Sequence, residues 1–238
     1  MIGGTGALDL FEVKDERTMT SRFGEASAPA ARVSLAGRDV WFLARHGRPH
    51  RIPPHRINYR ANIDGLKQLG VDGIIAINAV GGIDPTLPPG SLVVPDQLID
   101  YTWGRAHSFS DDAASPLLHA EFAHPFEGRL RKALLVAAGV AELGVVGSGC
   151  LAVTQGPRLE TAAEVRRLQK DGCTVVGMTS MPEVALAREV GLDYASLCVV
   201  ANAAAGVGDA PISLGEIERV LASAMGSAVR LLNRMELV

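Results

Sequence analysis

Residues 73–79 read Gly-Ile-Ile-Ala-Ile-Asn-Ala as a strand, and Ile74 to Ile77 are apolar without a break. A strand with one wet face alternates apolar and polar residues. An uninterrupted run instead expects cover on both faces, as in a parallel sheet wrapped by helices. Similar runs, several of them β-branched, recur at residues 30–35, 40–44, 91–94, 150–154, 174–177 and 195–202. Between them lie segments of helical period at 57–69, 126–140, 161–170, 182–190 and 214–237, the first three breaking near a glycine. This alternation predicts an α/β fold: a single domain over residues 1–238 with a central mixed, largely parallel, twisted β-sheet flanked by helices. Sites in such sheets sit at the carboxyl ends of strands. Residues 100–125 show little periodicity and read as an extended loop, of the length that usually carries function.

The composition agrees. Hydrophobic residues make up 47% of the 238-residue chain and aromatics only 5%, so the core must be built from Ala, Val, Leu and Ile. A net charge of -3 with no basic block argues against a nucleic-acid partner, and any bound anion must be small. Cys150, Cys173 and Cys198 are odd in number and widely spaced, which fits a reduced protein inside the cell. No window approaches 18 uninterrupted apolar residues and the start lacks a signal-peptide pattern, so a cytoplasmic location without membrane contact is expected.

Several strand ends carry polar groups. Gly3-Gly4-Thr5-Gly6 can turn backbone amides toward an anion, but a tight turn is an equal reading. Asp9 stands where a dinucleotide fingerprint needs a further glycine, and no Walker lysine follows. Only Met1 and Ile2 precede this turn, so the first strand is either short or begins upstream of the assigned start. Arg45-His46-Gly47-Arg48-Pro49-His50-Arg51 follows the run at 40–44. His46, His50 and His55 invite a metal reading, but Pro49, Pro53 and Pro54 forbid a helix that would align them, and three guanidinium groups repel a cation. Anion binding is the better reading, with a solvated basic loop as the alternative. Asn78-Ala79-Val80-Gly81-Gly82 by itself favours an ordinary β-turn. Thr154 to Thr161 and Met178 to Glu183 each join a strand to a helix, and helix capping alone accounts for either.

Taken in order, GGTG (3–6), RHGRPH (45–50), NYRAN (58–62), NAVGG (78–82), TQGPRLET (154–161), MTSMPE (178–183) and VVAN (199–202) resemble the trimeric purine nucleoside phosphorylases and methylthioadenosine phosphorylases from residue 2 to about 222. The resemblance implies phosphate contacts at Thr5, Arg45, His46, Asn78, Ala79 and Thr179, with Met178 under the ribose. Asn78 departs from the Thr common in the methylthioadenosine branch. Leu159, Glu160 and Asn202 would face the base, and catalysis would rest on Asn202, Glu160 and His46.

The hydrogen-bond inventory then selects a base. A carboxylate at Glu160 accepts N1–H of a 6-oxopurine but faces a lone pair on N1 of adenine. Asn202 can donate to O6 and accept from N7–H as the leaving base gains its proton. The competing role for Glu160 is a first-turn charge on the helix that follows. At the sugar's 5′ end, hydroxyl-reading relatives carry His where Ile217 stands, while Ile217, Val220 and Leu221 are apolar. Burying a 5′-hydroxyl there without a partner costs roughly 1–3 kcal/mol, whereas a thioether gains. The same three residues also form the i, i+3, i+4 stripe of a core-facing helix.

The expected reaction is therefore phosphorolysis of 5′-methylthioinosine to hypoxanthine and 5-methylthioribose 1-phosphate. Phosphate would be a co-substrate, with no metal or organic cofactor. A homotrimer is implied, in which His119 reaches the 5′ pocket of a neighbouring subunit. Inosine/guanosine phosphorylase, methylthioadenosine phosphorylase and a catalytically silent nucleoside-binding protein stay open at this point.

Overall fold

The computed structural model describes residues 1–4, 7–111, 115–208 and 212–236. In chain order the elements are β1 (Ile2–Gly3), β2 (Val13–Arg17), β3 (Thr20–Ser21), β4 (Gly24–Glu25), β5 (Ala30–Leu35), β6 (Arg38–Ala44), α1 (Tyr59–Gln68), β7 (Gly73–Gly82), β8 (Leu92–Val93) and β9 (Gln97–Asp100). They continue with α2 (Arg129–Val140), β10 (Val145–Val146), β11 (Cys150–Val153), α3 (Ala162–Lys170), β12 (Val175–Gly177), α4 (Ser180–Glu189), β13 (Asp193–Ala203) and α5 (Leu214–Leu232).

Eleven of the strands form one mixed sheet ordered β10-β8-β13-β7-β1-β6-β5-β2, with β12, β11 and β9 branching from β7. The central pairings β13–β7, β7–β1 and β1–β6 are parallel, as are β12–β11 and β11–β9. The edge pairings β5–β6 and β2–β5 are antiparallel. β13 is buried from Tyr194 through Ala201, apolar there except for Ser196 and the Tyr194 hydroxyl, and α2, α4 and α5 pack on it. The core is aliphatic, with Phe42, Phe126 and Tyr194 as its few fully buried rings. A second, smaller cluster lies under α3 around Ile83, Val165, Leu168 and Val176.

Four details differ from the sequence reading or sharpen it. The first strand has two residues and lies between β6 and β7, held by Leu43 N–H on the Met1 carbonyl at 2.9 Å and Arg45 N–H on Gly3 at 3.1 Å. Residues 80–82 continue β7 instead of turning, because Gly81 and Gly82 pair with both β12 and β13. A Cβ on Gly82 would come within 3.0 Å of the Leu87 carbonyl, so the close approach needs glycine. The last helix stops at Leu232, short of residue 237, where Asn233 turns its side chain to accept from Ala36 N–H at 3.0 Å. In α4, Met181 leaves helical geometry (φ -113°, ψ 133°), so the continuous helix starts at Pro182, the first-turn position that suits proline. From Tyr101 to Pro125 the described residues contain no helix or strand.

Candidate active site

The carboxyl ends of β6, β7, β12 and β13, with the segment after β11, open into one cleft of about 490 Å³. It is lined by Arg45, His46, Asn78, Ala79, Leu159, Glu160, Met178, Thr179, Asn202 and Ile217, ten of the residues expected from sequence. β6, β7 and β13 run in one direction and so deliver their carboxyl ends to one edge, while β12, with β11 beside it, reaches the same place by pairing antiparallel with the last residues of β7.

At one end lies a cation. Arg45 is 1% exposed, and its Nε and Nη2 donate to the two carboxylate oxygens of Glu183 at 3.0 and 2.8 Å while Nη1 donates to the Ile77 carbonyl at 3.1 Å. Glu183 is fully buried and also accepts from the Tyr194 hydroxyl at 2.8 Å. Burial alone would lower the Arg45 pKa, but Glu183 outweighs it and the pKa is raised, so the guanidinium stays charged. Three of its five N–H groups are used within the protein. His46 is fixed by a 2.8 Å contact from Nδ1 to the Ile52 carbonyl. Because a carbonyl only accepts, Nδ1 carries the hydrogen and Nε2 the lone pair in the neutral ring. Burial first, then Arg45 and the stacked His50, lower the His46 pKa to about 4 against the Ile52 hydrogen bond, so the ring is neutral near pH 7.

Thr179 donates its hydroxyl to Asn78 Oδ1 at 3.2 Å, and Asn78 Nδ2 donates to Ser196 at 2.7 Å and Ser180 at 3.4 Å. The Asn78 amide hydrogens are thus occupied by neighbours, and its side chain acts on the cleft by orienting Thr179. Thr5 lies outside the described residues.

At the other end, α3 begins with a reciprocal cap: Thr161 accepts from Glu164 N–H at 3.1 Å, and Glu164 accepts from Thr161 N–H at 2.7 Å. The helix-terminus role therefore falls to Glu164, not Glu160. Glu160 instead accepts from the Thr154 hydroxyl at 2.5 Å through Oε1 and presents its carboxylate to the cleft. Asn202 sits on a bulge of β13, where the register with β7 shifts between Val200 and Asn202. The bulge turns Asn202 into the cleft, with one amide hydrogen on the Ala203 carbonyl at 2.7 Å and Oδ1 left to accept.

The wall between these ends is Met178. Gly156 stands against it with φ +60°, and a Cβ there would lie 2.5 Å from the Met178 sulfur. Ile217 lines the cleft together with Ile212, which sequence reasoning did not single out. Leu221 packs on the hydrophobic core, and neither it nor Val220 reaches the cleft, so their spacing serves helix packing here. His119 is exposed on the long loop and does not line the cleft.

Arg105 is the main residue the sequence concealed. From the long loop its Nη1 donates to the carbonyls of Met178 (2.9 Å) and Met181 and to the Tyr59 hydroxyl (3.2 Å). Its Nη2 donates to the carbonyls of Gln155 (2.9 Å) and Thr154 (3.3 Å), and Nε to Gln155 Oε1 (3.2 Å). One side chain thereby braces both segments that carry Glu160 and Met178. Nothing local in TWGRAHSF distinguishes it, because its six acceptor atoms, on five residues, are assembled only by the fold.

A cation and hydroxyl cluster facing a carboxylate–amide pair across an apolar wall suits transfer of a sugar from a heterocyclic base to a small anion, the work of a pentosyltransferase of the purine nucleoside phosphorylase type. Comparison with known proteins gives the same class: the chain belongs to the phosphorylase superfamily, matched over residues 2–235. It is 50% identical to a probable S-methyl-5′-thioinosine phosphorylase of Xylella fastidiosa (strain Temecula1) over 99% of this chain and 96% of that one. It is 41% identical to the 6-oxopurine nucleoside phosphorylase of Pyrococcus furiosus over 98% and 89% of the two chains. Methylthioadenosine phosphorylase from Schistosoma mansoni, solved with adenine, superposes with a TM-score of 0.92 at 31% identity, covering 98% and 88% of the chains.

Proposed function

We propose that this enzyme cleaves 5′-methylthioinosine with inorganic phosphate, giving hypoxanthine and 5-methylthioribose 1-phosphate. The observation that carries the reading is the division of labour before α3. Glu164 caps the helix, which leaves the Glu160 carboxylate to accept N1–H of a 6-oxopurine beside Asn202. Ile212 and Ile217 supply an apolar surface for the methylthio group.

Phosphate, as HPO₄²⁻, meets the two remaining N–H groups of Arg45, with Thr179 and Ala79 beside it and Thr5 assigned to it from the sequence alone. Its single P–OH faces the lone pair on His46 Nε2, an arrangement that a neutral ring allows and an imidazolium does not. A phosphate oxygen attacks C1′, the bond to N9 breaks, and the proton that began on phosphate ends on the base. Asn202 Oδ1 accepts from the N7–H formed as the base leaves, an interaction stronger in the transition state than in the ground state. In this reading no metal or organic cofactor takes part, and the enzyme works in the cytoplasm.

A homotrimer completes the site, with His119 lent to a neighbour. Trp103 and Leu117, 71% and 77% exposed on the same loop, support burial of that loop against another subunit.

Phosphate-dependent release of free base from methylthioinosine, methylthioadenosine and inosine, assayed side by side, tests the proposal. Strong preference for methylthioinosine is expected. Preference for methylthioadenosine overturns the role of Glu160 and Asn202, and preference for inosine overturns that of Ile212 and Ile217.

A further inference from the structure

Cys150 opens β11 and Cys173 lies just before β12, and the two sulfurs are 4.0 Å apart. The chain segments that carry them are held side by side. Thr174 N–H donates to the Cys150 carbonyl at 2.9 Å, its hydroxyl donates to the same oxygen at 3.2 Å, and Leu151 pairs with Val175 in the parallel ladder that follows. Cys173 is 4% exposed within the small cluster under α3, and Cys150 is partly exposed at its margin. A disulfide needs the sulfurs to approach by about 2 Å more, within reach of side-chain rotation on adjacent strands.

We propose that Cys150 and Cys173 form a peroxide-sensitive pair that closes to an intrachain disulfide. The Cys173 sulfur attacks hydrogen peroxide, the O–O bond breaks, hydroxide leaves and a sulfenic acid remains. The Cys150 sulfur then attacks that sulfur, the S–O bond breaks and water leaves, its proton coming from the Cys150 thiol. The two thiols are oxidised and one peroxide is reduced to two waters. The hydrogen bond from Cys150 lowers the pKa of Cys173 against the effect of burial, which favours Cys173 as the first nucleophile. That same hydrogen bond first, and then burial, raise the Cys150 pKa, so it enters the second step as the neutral thiol whose proton leaves with the water.

The pair sits at the entering ends of β11 and β12, whereas the cleft lies at their carboxyl ends. Closure therefore encircles α3 and the segment bearing Glu160 without touching a group that lines the cleft. The expected effect is on heat stability, with turnover preserved.

The test treats the purified enzyme with hydrogen peroxide, removes the oxidant and alkylates the denatured chain. The expected result is a mass loss of about 2 Da, protection of two thiols, a linked peptide joining positions 150 and 173, and reversal by a dithiol. The melting temperature should rise by roughly 3–6 °C. Cys150→Ser and Cys173→Ser each abolish these changes, while Cys198→Ser, altered at a fully buried position in β13, keeps them. Three alkylatable thiols after treatment, oxygen addition at one cysteine without a link, or a link between two chains would each overturn the proposal.

Discussion

Replacing Arg45 by Met removes a buried cation and strands a buried anion. Arg45 is 1% and Glu183 0% exposed, and two of the three guanidinium bonds go to that carboxylate. Breaking such a pair from one side costs about 3–5 kcal/mol, because the remaining charge has neither water nor partner. For a chain of this size that lowers the melting temperature by roughly 6–15 °C. Glu183→Gln strands the cation and should cost a similar amount. The double variant Arg45→Met, Glu183→Gln leaves no buried charge, and the new side-chain amide carbonyl still accepts from Tyr194, so it should return to within about 1–2 kcal/mol of the parent. Activity should not return with it. If two guanidinium N–H groups hold the attacking phosphate, kcat/KM falls by roughly 10²–10³ in both Arg45 variants. Thermal unfolding of all four proteins together with phosphate-saturation kinetics closes the cycle. A double variant that melts as low as the worse single refutes the charge-compensation argument. One that regains turnover shows that Arg45 serves the fold and not the anion.

Arg105→Ala should raise KM for the nucleoside and lower kcat, together costing about 10-fold or more in kcat/KM, because the segments holding Glu160 and Met178 lose a shared brace. Arg105→Lys should recover only part, and steady-state kinetics within about twofold of the parent for the Ala variant would remove the bracing role. Stability should fall as pH drops from 6.5 toward 4: His46 titrates near 4 when folded and near its ordinary 6.5 when unfolded, so the unfolded chain binds more protons across that window. The loss is about 2 kcal/mol after allowing for the part of the ring that water reaches, and denaturant titrations of the parent and His46→Gln should diverge there. Asn202→Asp should shift the ratio of kcat/KM for methylthioadenosine over methylthioinosine upward by about 10-fold or more. An unchanged ratio would mean that position 202 does not read the base.

The central strands were legible because they are buried over most of their length and announce themselves by composition. Residues 30–35 were bounded to the residue, and the starts or ends of the others moved by one or two positions or, for 80–82, by a strand that ran on. β2 escaped notice since all five residues of Val-Lys-Asp-Glu-Arg are exposed, and an edge strand with no buried face has no hydrophobic pattern to read. Strand-end residues such as Arg45, Asn78 and Asn202 could be found because parallel topology sends them to one place, whereas Glu160 arrives there on a branch of the sheet that meets β7 antiparallel. Their partners could not. Glu183 lies 138 residues from Arg45 and reads locally as a first-turn helix residue. Arg105 has no periodicity around it, and the two roles open to Glu160 were separable only once Glu164 was seen to take one of them.

The bulge in β13 has a consequence for how specificity in this enzyme can change. Asn202 faces the cleft because one additional residue is fitted into the strand opposite β7. Its direction is thus a property of chain length as much as of residue type. Loss of the single residue between Val200 and Asn202 would leave Asn202 opposite Gly81 but remove the bulge, and with it the local bend and twist that aim the amide, with every remaining side chain chemically intact. A survey limited to substitutions would never visit that change, so retuning the base site calls for libraries of short deletions and insertions as well as exchanges.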